Sequence, residues 1–115
     1  MPALRQDSEL ASLLRALADP ARLRVVELLS QGPRRAGELT DDLGVAPPTM
    51  SKHLRALLEA GIVADERRRE DARVRIFRLR PESVVAVQTW LDQIQAHWDE
   101  QLGSFKAHVE RKGKR

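Results

Sequence analysis

The apolar positions Leu10, Leu13, Leu14 and Leu17 fall at i, i+3, i+4 and i+7, the spacing of one helix face, and predict a first helix over 8–17. Asp19-Pro20 then reads as a cap followed by proline at the first helical position, opening a second helix through Leu23, Val25, Val26, Leu28 and Leu29. Gly32-Pro33 stops it. A third, short helix is predicted over 38–43, with Gly44 as the left-handed residue that ends it. The fourth starts near Pro48, because a residue before proline is pushed out of the helical region, which makes Ala46 and Pro47 extended. Its stripe is Met50, Leu54, Leu57 and Leu58, and it ends at Ala60-Gly61.

Beyond Gly61 the period changes. Two short runs, 62–68 and 73–79, flank the polar link Arg69-Glu70-Asp71-Ala72, and the second sets Val74, Ile76, Phe77 and Leu79 against Arg73, Arg75 and Arg78. Together they read as a β-hairpin. From Pro81 onward Val84, Val87, Leu91, Ile94, Trp98, Leu102, Phe105 and Val109 recur every three or four residues, which predicts one long helix to about Arg111 and a frayed tail after it. The fold class that follows is mainly α with a small β-hairpin, a winged helix-turn-helix in the order α-α-α-α-β-β-α. It occupies residues 1–115 as a single domain, with N-terminal helices over 8–30, the helix-turn-helix over 36–60, the wing over 62–79 and a C-terminal helix over 81–111.

Composition narrows the function. The chain has no cysteine, so neither a disulfide framework nor a thiolate metal site can form. The opening Met1-Pro2-Ala3-Leu4-Arg5 leads into a mixed-charge segment rather than an apolar run, and the reading is of a cytoplasmic protein with no membrane partner. Counting Lys and Arg against Asp and Glu gives four against four in residues 1–30, eleven against eight in 31–80 and five against five in 81–115. The whole surplus sits in the middle, as a polyanion-binding surface between two segments with another task would require.

The second helix of the helix-turn-helix turns Thr49, Ser51, Lys52 and Arg55 outward and its apolar stripe inward. B-DNA has a major groove wide enough for one helix, and hydroxyl and long cationic side chains near the helix start reach base edges and phosphates. Pro47 and Pro48 lack N–H groups, so side chains must supply what helix amides often add there. The wing contributes Arg67, Arg68, Arg69, Arg73 and Arg75, partly offset by Glu66, Glu70 and Asp71. Arginine at this density suits the phosphate backbone or a narrow minor groove, and Arg69 and Arg73, nearest the tip, are expected to matter most. A charge run alone is as readily a solvated face; its junction with a helix-turn-helix is what points to double-stranded DNA. His53, one turn from Met50 and Leu57, is expected to pack and bond locally rather than touch a base.

Leu17-Ala18-Asp19-Pro20-Ala21-Arg22, Val25-Val26-Glu27-Leu28-Leu29, Gly37-Glu38-Leu39, Ser51-Lys52-His53-Leu54-Arg55-Ala56-Leu57 and Glu59-Ala60-Gly61-Ile62-Val63 resemble the ArsR/SmtB family of bacterial winged-helix repressors over about 8–110. The resemblance implies a homodimer that binds an inverted repeat in its own promoter and leaves it when a small-molecule effector binds. It also implies that Pro48, Thr49, Ser51 and Lys52 stand at the DNA-reading positions. The chain departs from the family pattern at Pro47, where a polar reader such as glutamine is frequent, and at Arg35, where a Ser or Thr cap is common. Relatives that sense metals use cysteines on the third helix or Asp and His on the last. Here the third helix reads Glu38-Leu39-Thr40-Asp41-Asp42-Leu43 without a thiol. His97 and His108 are spaced as two ligands of the second kind, but Zn²⁺ needs about four, and Gln95 and Arg111 stand where others belong. No metal and no cofactor are therefore expected, and the histidines read as surface or interface residues.

A helix over 81–111 is on the order of 45 Å long, more than a body this small covers, so its stripe must bury something else. Leu10, Leu13 and Leu14 of the first helix with Leu91, Ile94, Trp98, Leu102 and Phe105 of the last make a self-complementary two-fold interface. Trp90 and Trp98 belong to packing on this reading, an effector pocket being the alternative. No glycine-rich phosphate loop or serine elbow occurs, and His97, Asp99 and Glu100 lie on a helix without a pocket, so an enzyme is not expected and no residue is assigned to catalysis. The rival function is a winged-helix module that binds a protein rather than specific DNA.

Overall fold

A computed structural model describes residues 2–113, with side chains from Glu9 onward. Its elements are α1 (Pro2–Leu17), α2 (Pro20–Leu29), β1 (Arg34–Arg35), α3 (Ala36–Leu43), α4 (Pro47–Glu59), β2 (Val63–Arg67), β3 (Arg75–Leu79) and α5 (Pro81–Gly113). The architecture is a winged helix-turn-helix, mainly α with a small antiparallel sheet. Residues up to Val84 form one compact unit and residues from Val85 another.

Each corner of the first unit has a local cause. Asp19 caps α2, its Oδ1 accepting from the backbone N–H of Ala21 at 2.8 Å and of Arg22 at 3.2 Å, and Pro20 occupies a position that needs no N–H. Gly44 ends α3 at φ 68° and donates to the Thr40 carbonyl, a conformation that charges little to glycine and more to any other residue. At the end of α4, Gly61 at φ 75° donates to the Leu58 carbonyl and Ile62 to the Leu57 carbonyl, which turns the chain directly into the wing.

The buried side chains come from helices and sheet alike: Leu13 and Ala16 of α1, Val25, Leu28 and Leu29 of α2, Leu39 of α3, Met50, Leu54 and Leu57 of α4, then Ile62, Val63 and Phe77. Burying each large apolar side chain is worth roughly 1.5–3 kcal/mol, so this cluster is what holds α4 at a fixed orientation. It also claims Leu13, which the sequence places at a dimer interface: at 8% exposure it belongs to the core of its own chain. Leu10 and Leu14 are half-buried.

Several features differ from those the pattern predicts. α1 begins at Pro2 rather than 8, and α5 runs to Gly113, while Lys114 and Arg115 of the expected frayed tail lie outside the described residues. Pro47 is helical, not extended. Only Ala46 is extended, at ψ 145°, and its carbonyl already accepts from Met50, so both prolines sit in the first turn where no donor is required. The sheet has three strands in the order β1-β3-β2, not two, with Arg34 opposite Phe77 and Arg35 opposite Ile76. A two-residue strand has no period of its own, and only the outer edge of β3 brings it into being.

Candidate nucleic-acid interface

The face of α4 opposite its core stripe is free. Pro48, Thr49, Ser51, Lys52 and Arg55 are all exposed, and among the described residues none of their side chains forms an ion pair or hydrogen bond within the chain. Met50, Leu54 and Leu57 on the other side are buried to 4% exposure or less. The helix is therefore fixed by one face and presents two hydroxyls and two cations on the other. His53 lies between them, half-buried, where Arg22 Nη1 donates to its Nδ1 at 3.4 Å. Arg22 Nε also donates to the Ala16 carbonyl, which ties α1, α2 and α4 together at one side chain.

The wing arginines divide into held and free. Arg75 donates to Asp65 Oδ2 from Nε at 2.9 Å and from Nη2 at 2.6 Å, and its guanidinium lies 5.0 Å from the centre of the Phe77 ring. It is half-buried, and these contacts rather than a phosphate account for its position. Arg73 is similarly occupied. Its Nε and Nη2 donate to the two oxygens of Asp71 at 3.0 and 3.2 Å, and its backbone N–H also donates to Asp71 Oδ1. Asp71, two residues earlier, closes a local turn on it, while the Arg73 side chain itself stays 89% exposed. Arg67 donates to the Ala72 carbonyl at 2.7 Å across the tip. Arg68 and Arg69 are exposed, and their side chains have no intrachain partner among the described residues.

Two arginines were not among the expected DNA-binding residues. Arg34 and Arg35 enter the sheet through β1 and stand beside the start of α3. An open cleft of about 450 Å³ there is lined by Arg35, Gly37, Glu38, Arg73 and Arg75, and a smaller one of about 210 Å³ by Arg34, Arg35, Glu38 and Arg68. Basic residues from β1 and the wing thus share one surface around the α3 N-terminus. The only sequence signal for this was the Arg-Arg pair itself.

Carboxylates set the charge pattern on that surface. Glu38 Oε1 accepts from the backbone N–H of Arg35 at 3.0 Å and from its Nε at 3.3 Å, the half of a capping box that Glu38 can supply, while the Arg35 side chain makes no cap bond to the first-turn amides. The backbone N–H first, then the side chain, hold the Glu38 carboxyl below its ordinary range. Asp71 is lowered by the Arg73 side chain and backbone, and Asp19 chiefly by the backbone N–H of Arg22. All three stay ionised under physiological conditions, so the basic surface is trimmed rather than uniform.

On α5 the second set of expected residues is exposed: Leu91, Ile94, Trp98, Leu102 and Phe105, at 36% for Ile94 up to 67% for Phe105. Trp90 is half-buried, and His97 and His108 are exposed. Among the described residues no three His, Cys, Asp or Glu side chains converge as metal ligands do. No described helix is long and apolar enough to cross a membrane.

A helix anchored by its inner face, with a hydroxyl-and-cation outer face and an arginine-rich wing beside it, defines the class of winged helix-turn-helix regulators. Residues 19–65 match the model of the bacterial regulatory protein arsR family. The chain is 36% identical over 98 residues to the HTH-type transcriptional regulator Rv2034 of Mycobacterium tuberculosis, covering 85% of this chain and 86% of that protein. It is 44% identical over 80 residues to a biofilm growth-associated repressor of Agrobacterium fabrum, covering 69% of this chain and 66% of that one. Among solved structures, an ArsR family transcriptional regulator, RHA00566, superposes with a TM-score of 0.72 at 32% identity, covering 81% of this chain and 93% of that chain. A homodimeric winged helix-turn-helix DNA-binding domain from Mycobacterium bovis superposes at 0.61 with 32% identity, covering 83% and 82%. The chain belongs to the ArsR family of bacterial transcriptional regulators.

Proposed function

We propose that this chain binds double-stranded DNA as a homodimer and represses transcription by occupying an inverted-repeat operator. In this reading α4 lies in the major groove with Thr49, Ser51, Lys52 and Arg55 toward the bases and phosphates, and Pro48 sits close to the backbone at the entry of the groove. The wing follows the flanking backbone through Arg69 and the exposed Arg73, with Arg75 as a screened cation held by Asp65. The observation that carries the reading is the free outer face of α4: four polar or cationic side chains with no intrachain partner, on a helix whose other face is locked in the core.

Homodimers are the commonest soluble oligomers, and two recognition helices about 34–36 Å apart meet successive major grooves of a palindrome. The named homodimeric relative supports the same state here. Dimerisation falls to the exposed stripe of α5 together with Leu10 and Leu14 of α1. Release by a small-molecule effector belongs to the same proposal, and cytoplasmic location follows from a chromosomal target.

Fluorescence anisotropy of the purified protein against labelled duplex from upstream of its own gene, with a random duplex as control, tests the reading. Much tighter binding of the upstream duplex, by two protomers per site and with a steep salt slope, supports it. Equal or absent binding of both duplexes overturns specific recognition and favours a protein partner for the same surface.

A further inference from the structure

Both residues of β1 are arginine. The strand lies at one edge of the sheet, with Arg34 opposite Phe77 and Arg35 opposite Ile76 on β3. Cations on a short edge strand have one simple use, which is to discourage another strand from pairing there. That use asks only for side chains in water and gives them no common destination.

Here they share one surface. Arg35 and Glu38 line both clefts beside α3 and so form the wall between them; Arg73 and Arg75 line the larger cleft, Arg34 and Arg68 the smaller. Of these arginines, Arg35, Arg73 and Arg75 each have a carboxylate partner. Arg34 meets neutral acceptors, donating to the Gly32 and Pro33 carbonyls at 3.4 and 3.3 Å and to Gln31 Oε1 at 3.4 Å. Like Arg68, it forms no ion pair among the described residues.

The partner of Arg35 is easily exchanged. Its ion pair with Glu38 is open to water, the two side chains being 56% and 48% exposed, and such a pair is worth about 0.2–1 kcal/mol. A phosphate takes a guanidinium in a two-pronged grip that a single carboxylate oxygen does not match. When the Arg35 guanidinium leaves, Glu38 still accepts from the Arg35 backbone N–H at 3.0 Å, so the start of α3 stays in place.

The spacing fits a nucleic-acid strand. α3 has 8 residues and spans about 12 Å between Arg35 and the Gly44 turn that leads into α4. The major groove of B-DNA is also about 12 Å wide, with a phosphodiester strand along each side. An α4 that starts inside the groove therefore sets the β1 arginines off by about one groove width, the distance of a bounding strand.

We infer that Arg34 and Arg35 of β1 grip the DNA backbone beside the groove entered by α4, with Arg35 passing from Glu38 to a phosphate. This rests on the DNA binding proposed above and adds to it a contact that neither the recognition helix nor the hairpin supplies.

Salt titrations of the full-length protein on the upstream and random duplexes test it. Two cations per protomer are four per dimer, so Arg34→Gln combined with Arg35→Gln makes the slope of log K against log salt shallower by about 3.6. The affinity deficit of that variant then shrinks about 150-fold between 50 and 200 mM salt. Phosphates carry no sequence, so binding weakens on both duplexes alike. Arg34→Lys combined with Arg35→Lys keeps the charges and most of the slope. Should the double glutamine variant unfold, Arg35→Gln alone retains the Glu38 bond to the backbone and lowers the slope by about 1.8.

A glutamine variant with the wild-type slope overturns the inference, and so does a slope lost as fully with lysine as with glutamine. The cysteine-free chain allows a further reading: an iron chelate on Arg35→Cys cleaves the bound duplex beside the α4 site, and a bound duplex left uncut overturns the inference. A wild-type protein that binds neither duplex overturns the DNA reading beneath it.

Discussion

Lys52→Gln removes a cation that makes no ion pair among the described residues and stands on the outer face of α4. If Lys52 contacts one phosphate in each protomer, the dimer loses two contacts. The slope of log K against log salt falls by about 0.9 per contact, so it becomes shallower by about 1.8. Between 50 and 200 mM salt, a fourfold change, the ratio of wild-type to variant affinity then narrows about 12-fold. Arg75→Gln is the internal control. Its guanidinium is already committed to Asp65 at 2.6 Å and to the Phe77 ring, so its loss should lower stability by about 1 kcal/mol and leave the slope close to that of the wild type. Anisotropy titrations at four or five salt concentrations measure both slopes. A Lys52→Gln slope identical to wild type, or an Arg75→Gln slope that changes as much, refutes the division into free and held cations.

Leu57→Ala empties a fully buried position on α4 and should cost about 2–5 kcal/mol in urea unfolding, with DNA binding lost in proportion to the folded fraction. Gly44→Ala meets no atom within 4 Å but must adopt φ 68°, so chemical denaturation should show a loss of about 1 kcal/mol from backbone strain alone. The carboxyls of Asp19, Glu38 and Asp71 are all held below their ordinary range, so their contributions are fully present at neutral pH and are lost as the pH falls below about 4. Urea midpoints should therefore drop on acidification, and Asp19→Asn should reduce that dependence; an unchanged profile removes Asp19 from the account.

The helices were legible because their signals are local. Asp19-Pro20, Gly44 and Ala60-Gly61 each fix a boundary through backbone geometry that a few neighbouring residues determine, and the 3.6-residue stripes of α2, α4 and α5 state which face turns inward. The outer face of α4, with Thr49, Ser51, Lys52 and Arg55, follows from the same period. The wing was legible as a hairpin but not as a sheet, since Arg34 and Arg35 carry no alternation that marks a strand. The fate of its arginines was hidden too: Arg73 lies two residues from the acid that binds it, but Arg75 is ten residues from Asp65 and meets it only because β2 pairs with β3.

By itself, then, the sequence determined the order of the helices, the turn between α3 and α4, the hydroxyl-and-cation face and the length of the last helix, all properties set within a turn or two of the residue concerned. Tertiary structure alone decided that Leu13 packs into the core of its own chain, that β1 joins the wing and brings Arg34 and Arg35 to the start of α3, and which wing cations have acid partners. Those outcomes depend on what lies opposite a side chain across the fold, and a one-dimensional pattern records which way a residue faces without recording what it meets.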